Sequence, residues 1–330
     1  YTVAFINARK ALGKYKKPAR FDHNLVVIGA GSAGLVSAYI AAAVKASVAL
    51  IEKHKMGGEC LNTGCVPSKA IIRSASFLHS LKRAPELGFR SAHADFVFAD
   101  VMARVQRVIE QVEPHDSAER YTRMGVDCIQ GAAQITSPYT VEVNGRTLTT
   151  RNIIVATGGR PYVPEIEGID AISYHTSDTI WSIRELPERL IVLGGGPIGS
   201  ELAQVFARFG SQVTMVQRQP TLLKREDPEI AAMVEQQFVK EGIDVRLSHT
   251  AQSIEVRDGV QVLSCVHGSE SVEIEFDMLL VAIGREPHTR GFGLEDLGIA
   301  LTPQGTIEVN DYMQTSIPNI YACGDVAGPY

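Results

Sequence analysis

Two cysteines lie five residues apart in the stretch 57–69, which reads GGECLNTGCVPSK. Near the predicted start of a helix, the spacing of Cys60 and Cys65 lets the two sulfurs come within disulfide distance. The helix N-terminus and the ammonium group of Lys69 would both favour a thiolate. Three interpretations stay open: a redox pair, half of a metal site, or two buried structural thiols. The metal interpretation lacks a second closely spaced pair of Cys or His residues in the sequence.

The other three cysteines, Cys128, Cys265 and Cys323, sit alone in short apolar runs typical of strands. We interpret them as ordinary core cysteines. The helix that opens in the stretch 57–69 is predicted to continue to about Arg83.

Upstream of the cysteines, residues 25–28 form a short apolar run that leads into the turn GAGSAG at residues 29–34. An alanine-rich helical stretch and a second apolar run follow, and the second run ends at Glu52. In such a unit the first glycine permits a tight turn, the second lets the backbone approach a pyrophosphate, and the third lets helix and strand pack closely. Glu52, 18 residues after Gly34, would accept a hydrogen bond from a ribose 2′-hydroxyl. The pattern predicts a dinucleotide-binding βαβ unit.

Residues 25–44 are 20 consecutive uncharged residues, which is long enough to raise the question of a transmembrane helix. The glycine turn interrupts the run, however, and parallel strands buried on both faces are apolar throughout. We therefore interpret the run as a buried βαβ unit.

The glycine turn recurs 165 residues later, after the apolar run 190–193. Two such units in one chain imply two dinucleotides. The same offset places Gln217 where the first unit has Glu52, and Arg218 where it has Lys53. Because an arginine here can accommodate a 2′-phosphate, the second unit favours NADP over NAD.

The stretch 57–69 resembles the active-site motif of the flavin-dependent pyridine nucleotide–disulfide oxidoreductases, the family of dihydrolipoamide dehydrogenase and mercuric reductase. Ala156-Thr157-Gly158, residues 282–285 (AIGR) and residues 323–325 (CGD) support the resemblance, which spans residues 22–330. It implies an FAD site formed by Gly29, Gly31, Ser32, Ala33, Gly34, Glu52, Lys53, Gly58, Thr157, Gly158 and Asp325. It implies a nicotinamide cofactor site formed by Gly194, Gly196, Pro197, Ile198, Gly199, Gln217 and Arg218, with Gly284 and Arg285.

The resemblance also implies catalytic roles. Cys65 would be the thiolate against the flavin, Cys60 the interchange thiol that faces a disulfide substrate, and Lys69 would form a buried ion pair with Glu201 beside the flavin. Hydride would pass from the nicotinamide to the flavin, and electrons onward to the cysteine pair. The alternative is a nucleotide-binding or regulatory flavoprotein module without disulfide turnover.

The implied fold is α/β, with two Rossmann-like, three-layer ββα domains. We expect a basic linker at 1–21, the FAD domain at 22–156 and 285–330, and the NAD(P) domain inserted at 157–284. An amphipathic helix is predicted around Val101, Val105, Val108 and Val112, and a hairpin with an Asn-Gly turn at 141–148.

Of the 330 residues, 45% are hydrophobic, and the net charge of −5 argues against a nucleic-acid binder. Five cysteines are too few for a disulfide-stapled secreted scaffold. Because the stretch 1–21 is basic and lacks acidic residues, an upstream membrane segment with the protein on the cytoplasmic face is one hypothesis, and a solvated linker the other.

Family members continue beyond the Gly-Asp motif into a domain that builds a homodimer and donates a His–Glu pair, so we expect the given sequence to stop before that domain. None of its nine histidines is assigned a catalytic role. Lipoamide, a glutathione-like disulfide and Hg(II) all remain candidate substrates.

Overall fold

The computed structural model describes residues 12–328. Residues 1–11 of the predicted basic linker lie outside the described residues. The helices are α1 Ser32–Ala43, α2 Gly58–Asn62, α3 Cys65–Lys82, α4 Phe98–Val112, α5 Ala118–Arg123, α6 Pro197–Phe209, α7 Pro228–Lys240 and α8 Leu294–Leu297. Short 3₁₀ turns lie at Ala84–Leu87, Glu113–His115, Ile169–Ala171 and Ile180–Ser182.

The strands of the first half of the chain are β1 His23–Ile28, β2 Val48–Glu52, β3 Val126–Gln130, β4 Gln134–Ser137, β5 Thr140–Val143, β6 Arg146–Val155 and β7 Gly159–Pro161. Those of the second half are β8 His175–Thr176, β9 Arg189–Leu193, β10 Gln212–Gln217, β11 Asp244–Leu247, β12 Thr250–Arg257, β13 Val260–His267, β14 Glu270–Phe276, β15 Met278–Val281, β16 Arg285–Pro287, β17 Ile307–Glu308, β18 Ile320–Ala322 and β19 Ala327–Gly328.

The described chain divides into two compact units. Unit 1 comprises residues 12–62, 110–160 and 286–328, and unit 2 comprises residues 63–109 and 161–285. Residues 63–109 thus belong to unit 2, where α3 packs on α6, whereas the predicted domain boundaries place them with the FAD domain. Those boundaries remain predictions about the cofactor domains. Within residues 12–328 no helix is both long and apolar enough to cross a membrane.

Unit 1 is built on a parallel sheet in the order β3-β2-β1-β6-β18, and β5 and β4 continue from β6 in antiparallel pairing. Side chains of β1 alternate between its faces, so that Val26 packs with Ile51 and Ile153 while Val27 packs with Leu35 of α1. Burial on both faces explains why the run 25–44 is uncharged without being a membrane span.

Unit 2 has a second parallel sheet, in the order β11-β10-β9-β15-β8, and a three-stranded antiparallel sheet of β12, β13 and β14. The antiparallel sheet packs its Leu263 and Cys265 into the same apolar core as Ile191 and Leu279 of the parallel sheet. The predicted α/β class is confirmed in both units.

The predicted hairpin is present, with Val143 of β5 paired to Arg146 of β6. Asn144 and Gly145 connect the strands with φ of 51° and 74°. Two positive φ angles in a two-residue loop are typical of a type I′ turn, which suits the right-handed twist of the strands.

Two helix predictions need correction. The helix expected from residue 57 to about Arg83 is broken into α2 and α3, because Gly64 adopts φ −119° and ψ −109°, which is not helical. The amphipathic helix forms as α4, but its buried stripe is Phe98, Met102, Val105 and Ile109. The predicted stripe of valines shares only Val105 with the buried one. The prediction used the valines alone and did not weigh the larger Phe, Met and Ile side chains of the same turns.

In unit 2 an ion pair is buried where the C-terminal ends of α6 and α7 meet. The guanidinium of Arg208 donates two hydrogen bonds to Glu241, with N–O distances of 2.7 and 2.8 Å. Gln204 and Gln237 donate to the same carboxylate, whose side chain is only 7% exposed. Burial alone would raise the pKa of Glu241, but the donors of Arg208 and Gln237 hold that pKa below its usual value.

We predict that Glu241→Gln lowers the free energy of unfolding by about 1–3 kcal/mol at neutral pH, because it leaves Arg208 buried without a counter-charge. A carboxylate with a lowered folded-state pKa stabilises the fold above its ordinary pKa of 4.5 and loses that contribution as the pH falls through the folded-state value. Urea unfolding between pH 7 and pH 3 should therefore show the two proteins converging in acid.

Asp244→Asn, in an exposed pair with Arg246 on the same unit, is the matched control and should change little at any pH. An equal effect of both substitutions would contradict a special role for the buried pair.

Candidate functional site

The first glycine turn, between β1 and α1, is packed too closely for side chains at two of its glycines. Gly29 has a φ of 100°, and a Cβ there would lie 2.3 Å from the carbonyl oxygen of Ala156. A Cβ on Gly34 would lie 1.8 Å from the carbonyl oxygen of Gly29. The helix therefore begins directly at the end of the strand only because both residues are glycine.

The middle glycine of this turn has space where the other two have none. A Cβ on Gly31 would meet nothing nearer than the Cα of Gly58, at 3.8 Å. Gly31 is also the N-cap of α1 and makes no side-chain cap hydrogen bond, so the first-turn amides of α1 lack that common partner. Open space in front of a helix N-terminus suits a phosphate group.

Two further segments of unit 1 reach the same helix end. Gly324 lies against α1, since a Cβ there would be 3.0 Å from that of Ala33. The sulfur of Cys323 lies 3.8 Å from the hydroxyl of Ser37 on α1. The structure thus brings the CGD motif, and with it the exposed Asp325, to the glycine turn.

Glu52, at the end of β2, holds the glycine turn through its carboxylate. It accepts a hydrogen bond of 2.7 Å from the amide of Ala30 and one of 2.8 Å from the amide of His54. A carboxylate has about four acceptor positions, so two remain for a ribose hydroxyl. Glu52 therefore both shapes the turn and faces the position where the sequence predicts a nucleotide.

The second glycine turn, in unit 2, has the same close contacts and the same open position as the first. A Cβ on Gly194 would lie 2.4 Å from the carbonyl oxygen of Ala282, and one on Gly199 would lie 2.1 Å from that of Gly194. A Cβ on Gly196 would meet nothing within 4 Å, and this glycine is the N-cap of α6 without a side-chain cap. The 165-residue offset found in the sequence is thus an offset between two equivalent sites.

Gln217 takes the place of Glu52 in this second turn. Its side-chain oxygen accepts a hydrogen bond of 3.3 Å from Gly195, the equivalent of Ala30. Its nitrogen donates to the carbonyl oxygen of Thr221 at 3.2 Å. The amide therefore keeps the turn-holding bond but carries no negative charge, and Arg218 beside it is exposed.

These features fit two bound dinucleotides, one at each turn. Each site combines an uncapped helix N-terminus, an open glycine in front of it and a polar side chain at the end of the next strand. The remaining predicted cofactor residues lie around these turns. Ser32, Pro197 and Ile198 are in the first helical turns, Lys53 is exposed beside Glu52, and Gly284 follows Ile283, whose Cα would lie 3.0 Å from a Cβ on Gly194.

Thr157 and Gly158 form hydrogen bonds to His288 within unit 1. The Thr157 hydroxyl donates to the carbonyl oxygen of His288 at 2.7 Å, and the amide of His288 donates to the carbonyl oxygen of Gly158 at 2.9 Å. This motif follows β6 and lies beside the first glycine turn, because Gly29 approaches the neighbouring Ala156.

Lys69 of α3 and Glu201 of α6 form the predicted ion pair. The Nζ atom lies 2.9 Å from both carboxylate oxygens. The two side chains are 62% and 40% exposed in the protein alone, so their predicted burial beside a flavin stays a prediction. Within unit 2 the pair links α3 to α6.

The cysteines differ in exposure. Cys65, the first residue of α3, is exposed, and Cys60 on α2 is partly buried. Burial raises the pKa of Cys265 to about 11 and also raises the pKa values of Cys128 and Cys323. Cys265 lies in the core of unit 2, and Cys128 and Cys323 are partly buried against the core of unit 1, which supports their interpretation as core residues.

Sequence reasoning missed a polar cluster between β8 and the following 3₁₀ turn. Trp181, the single tryptophan of the chain, donates a hydrogen bond of 2.8 Å to the carbonyl oxygen of Thr63, which lies between the two cysteines. Arg285, which the sequence predicts at a cofactor, donates to the hydroxyl of Ser177 at 3.4 Å. A lone tryptophan was the only local signal of this cluster in the sequence.

Comparison with known proteins agrees with this geometry. The family model for pyridine nucleotide-disulphide oxidoreductases matches residues 23–330. A mercuric reductase of Lysinibacillus sphaericus is 36% identical over 310 residues, and a dihydrolipoyl dehydrogenase of Thermus scotoductus is 36% identical over 316 residues. The HOCl-induced flavoprotein disulfide reductase RclA from Escherichia coli has a similar structure, with a TM-score of 0.80 at 31% identity.

These alignments cover nearly the whole chain but only part of each relative. They span 93%, 93% and 92% of this chain, in the same order. They span 57% of the mercuric reductase, 67% of the dihydrolipoyl dehydrogenase and 66% of RclA.

The two glycines of the second turn should respond differently to alanine. Gly199→Ala should lower the free energy of unfolding by about 1–3 kcal/mol, because its Cβ overlaps a backbone carbonyl. Gly196→Ala should change it by less than about 1 kcal/mol and yet weaken NADPH binding at least about tenfold, because its Cβ fills the open space. Urea unfolding and calorimetric titration measure the two effects. Equal NADPH affinity of Gly196→Ala and the unsubstituted protein would contradict the site.

Proposed function

Because the chain belongs to the pyridine nucleotide-disulphide oxidoreductase family, we propose that it is the cofactor-binding part of an FAD-dependent NAD(P)H:disulfide oxidoreductase. The observation that carries the proposal is the coexistence of two equivalent glycine turns with two nearby cysteines in sequence, Cys60 on α2 and Cys65 at the start of α3. One turn alone would fit many nucleotide-binding proteins. Two turns and a dithiol together match a path from a nicotinamide through a second cofactor to a disulfide.

In this proposal FAD binds at the first turn. The uncapped N-terminus of α1 binds its pyrophosphate, Glu52 accepts from its adenosine ribose, and Asp325 contacts its ribityl chain. When bound, FAD supplies the chemistry that exchanges a hydride for a pair of electrons. Burial of Ile28 and Ile51 in the sheet behind the turn keeps these groups in place.

The cysteine pair carries the electrons to substrate. Two thiols, at Cys60 and Cys65, become a disulfide while the substrate disulfide becomes two thiols, so that two electrons and two protons move. Cys65, the first residue of α3, would lie against the flavin, and Cys60 would be the interchange thiol that attacks the substrate disulfide. Lys69, one turn further along α3, adds a positive charge that Glu201 holds in a defined place.

The substrate class we propose is a small or protein-bound disulfide, with the whole protein acting as a homodimer. One relative is named as a mercuric reductase and another as a dihydrolipoyl dehydrogenase. A metal ion and a dithiol are therefore the alternatives to a disulfide as the natural substrate. The cytoplasmic location and the membrane tether considered for the basic stretch remain predictions.

The proposal is tested by counting thiols. The FAD-loaded protein, with Cys60 and Cys65 first oxidised, should gain two titratable thiols per chain when NADPH is added without oxygen. Cys65→Ser should bind FAD equally well but gain none, whereas Cys128→Ser, which removes a partly buried thiol of β3, should behave like the unsubstituted protein. A protein that takes up no FAD would contradict the proposal. A flavin-bound protein whose thiol count does not change would favour the regulatory module instead.

We further propose that the nicotinamide cofactor is NADPH. Gln217 lacks the negative charge that would repel a 2′-phosphate, and the exposed cations Arg218, Lys224 and Arg225 lie beside or shortly after it. A guanidinium suits a phosphate because it donates two parallel hydrogen bonds.

Arg218→Ala should therefore raise the Kd for NADPH about tenfold, equivalent to about 1.4 kcal/mol, and leave the Kd for NADH unchanged. Calorimetric titration measures both. Arg246→Ala removes an exposed arginine of β11, which is paired with Asp244, and serves as the charge-matched control. A parallel loss of both cofactors in Arg218→Ala would show that the arginine does not recognise the 2′-phosphate.

A further inference from the structure

The segment 176–181 of unit 2 forms hydrogen bonds to the turn that precedes Cys65. We call these hydrogen bonds, which join Trp181 and Asp178 to Thr63, the grip. Nε1 of Trp181 donates to the carbonyl oxygens of Thr63 and Ser177, at 2.8 and 2.6 Å. The Thr63 hydroxyl donates to Oδ1 of Asp178 at 3.4 Å. Thr63 is thus held at two points: Trp181 binds its backbone carbonyl oxygen, and the carboxylate of Asp178 binds its side-chain hydroxyl.

The gripped turn has little local support of its own. It consists of Thr63 and Gly64, which join α2 to α3. Gly64 is the N-cap of α3 but makes no side-chain cap hydrogen bond, and its φ of −119° and ψ of −109° lie outside the helical region. The exposed Cys65 follows as the first helical residue. Local hydrogen bonds from Ser68 hold the carbonyl oxygens of Gly64 and Cys65, whereas Thr63 is held by the segment 176–181.

The gripping segment is itself well anchored. Thr176 belongs to β8, which pairs with β15 in the parallel sheet. The amide of Thr176 donates to the hydroxyl of Thr179 at 2.9 Å, and the amide of Asp178 donates to the hydroxyl of Thr176 at 3.2 Å. Arg285 adds a hydrogen bond to Ser177 at 3.4 Å. The hydrogen bonds of Trp181 and Asp178 therefore tie the turn to the central sheet of unit 2.

We propose that Trp181 and Asp178 are positioning residues for the cysteine pair: they fix the Thr63–Gly64 turn in the conformation from which Cys60 and Cys65 form their disulfide. The inference rests on the proposed function of that pair. Neither residue reacts. Each reduces the conformational freedom that the turn would otherwise lose when the five-residue loop closes, so the grip favours the oxidised form.

The reaction that reports on this role is exchange with glutathione. The two thiols of Cys60 and Cys65 and one glutathione disulfide give the protein disulfide and two molecules of reduced glutathione, so two electrons and two protons pass to glutathione. Trp181→Phe keeps an aromatic ring but removes the N–H donor. It should lower the equilibrium constant for disulfide formation about five- to tenfold, which makes the potential about 20–30 mV more positive.

Asp178 allows a rescue experiment. Asp178→Ala removes the acceptor for the Thr63 hydroxyl and should lower the same constant, whereas Asp178→Asn retains an amide oxygen as an acceptor and should restore it. Ser182→Ala is the matched control, because its hydroxyl bonds Thr179 within the same turn and does not contact residues 63–65. A general loss of stability would affect Asp178→Ala and Asp178→Asn alike. It would also lower the free energy of unfolding, and would not be confined to the redox potential of the cysteine pair.

Two measurements on the full chain with FAD separate the outcomes: glutathione equilibration, and amide hydrogen exchange of a peptide covering residues 63–66. A lower constant and faster exchange in Trp181→Phe support the proposal. An unchanged constant overturns it. If the unsubstituted protein forms no Cys60–Cys65 disulfide, the proposed function fails, and exchange in Trp181→Phe still decides whether the grip exists, since unchanged exchange would overturn that as well.

Discussion

The whole arrangement depends on a helix that begins where a strand ends, with no room for a side chain between them. In unit 1 this requires glycine at positions 29 and 34, because a Cβ at either would overlap a backbone carbonyl oxygen. The same packing leaves the helix N-terminus uncapped behind an open glycine, Gly31. One steric constraint therefore explains why the turn needs these glycines and why the helix begins behind open space, which suits a phosphate group.

The same strand–turn–helix arrangement occurs twice in the chain, once in each unit. Both turns are held by a side-chain oxygen at the end of the second strand, from Glu52 in unit 1 and Gln217 in unit 2. Glu52 and Gln217 both accept a hydrogen bond from the turn amide, but only Glu52 carries a charge, so holding the turn requires an acceptor and no charge. Within unit 2, Cys65 is joined to the second turn by α3, which packs on α6.

Local patterns predicted what depends on local physics. The strands around both glycine turns, the Asn144-Gly145 hairpin and the Lys69–Glu201 pair follow from residue type, spacing or family motif, and the structure contains each of them. The break at Gly64 was missed because glycine is tolerated in helices, and the grip of Trp181 was missed because it joins residues 118 positions apart.

The central claim is that the two turns bind two different dinucleotides at once. Equilibrium dialysis of the FAD-loaded chain against NADPH measures this directly, with FAD counted after release from the denatured protein. We predict one FAD and one NADPH per chain, with neither displacing the other. Displacement of FAD by NADPH, or a total of one dinucleotide per chain, would contradict the account.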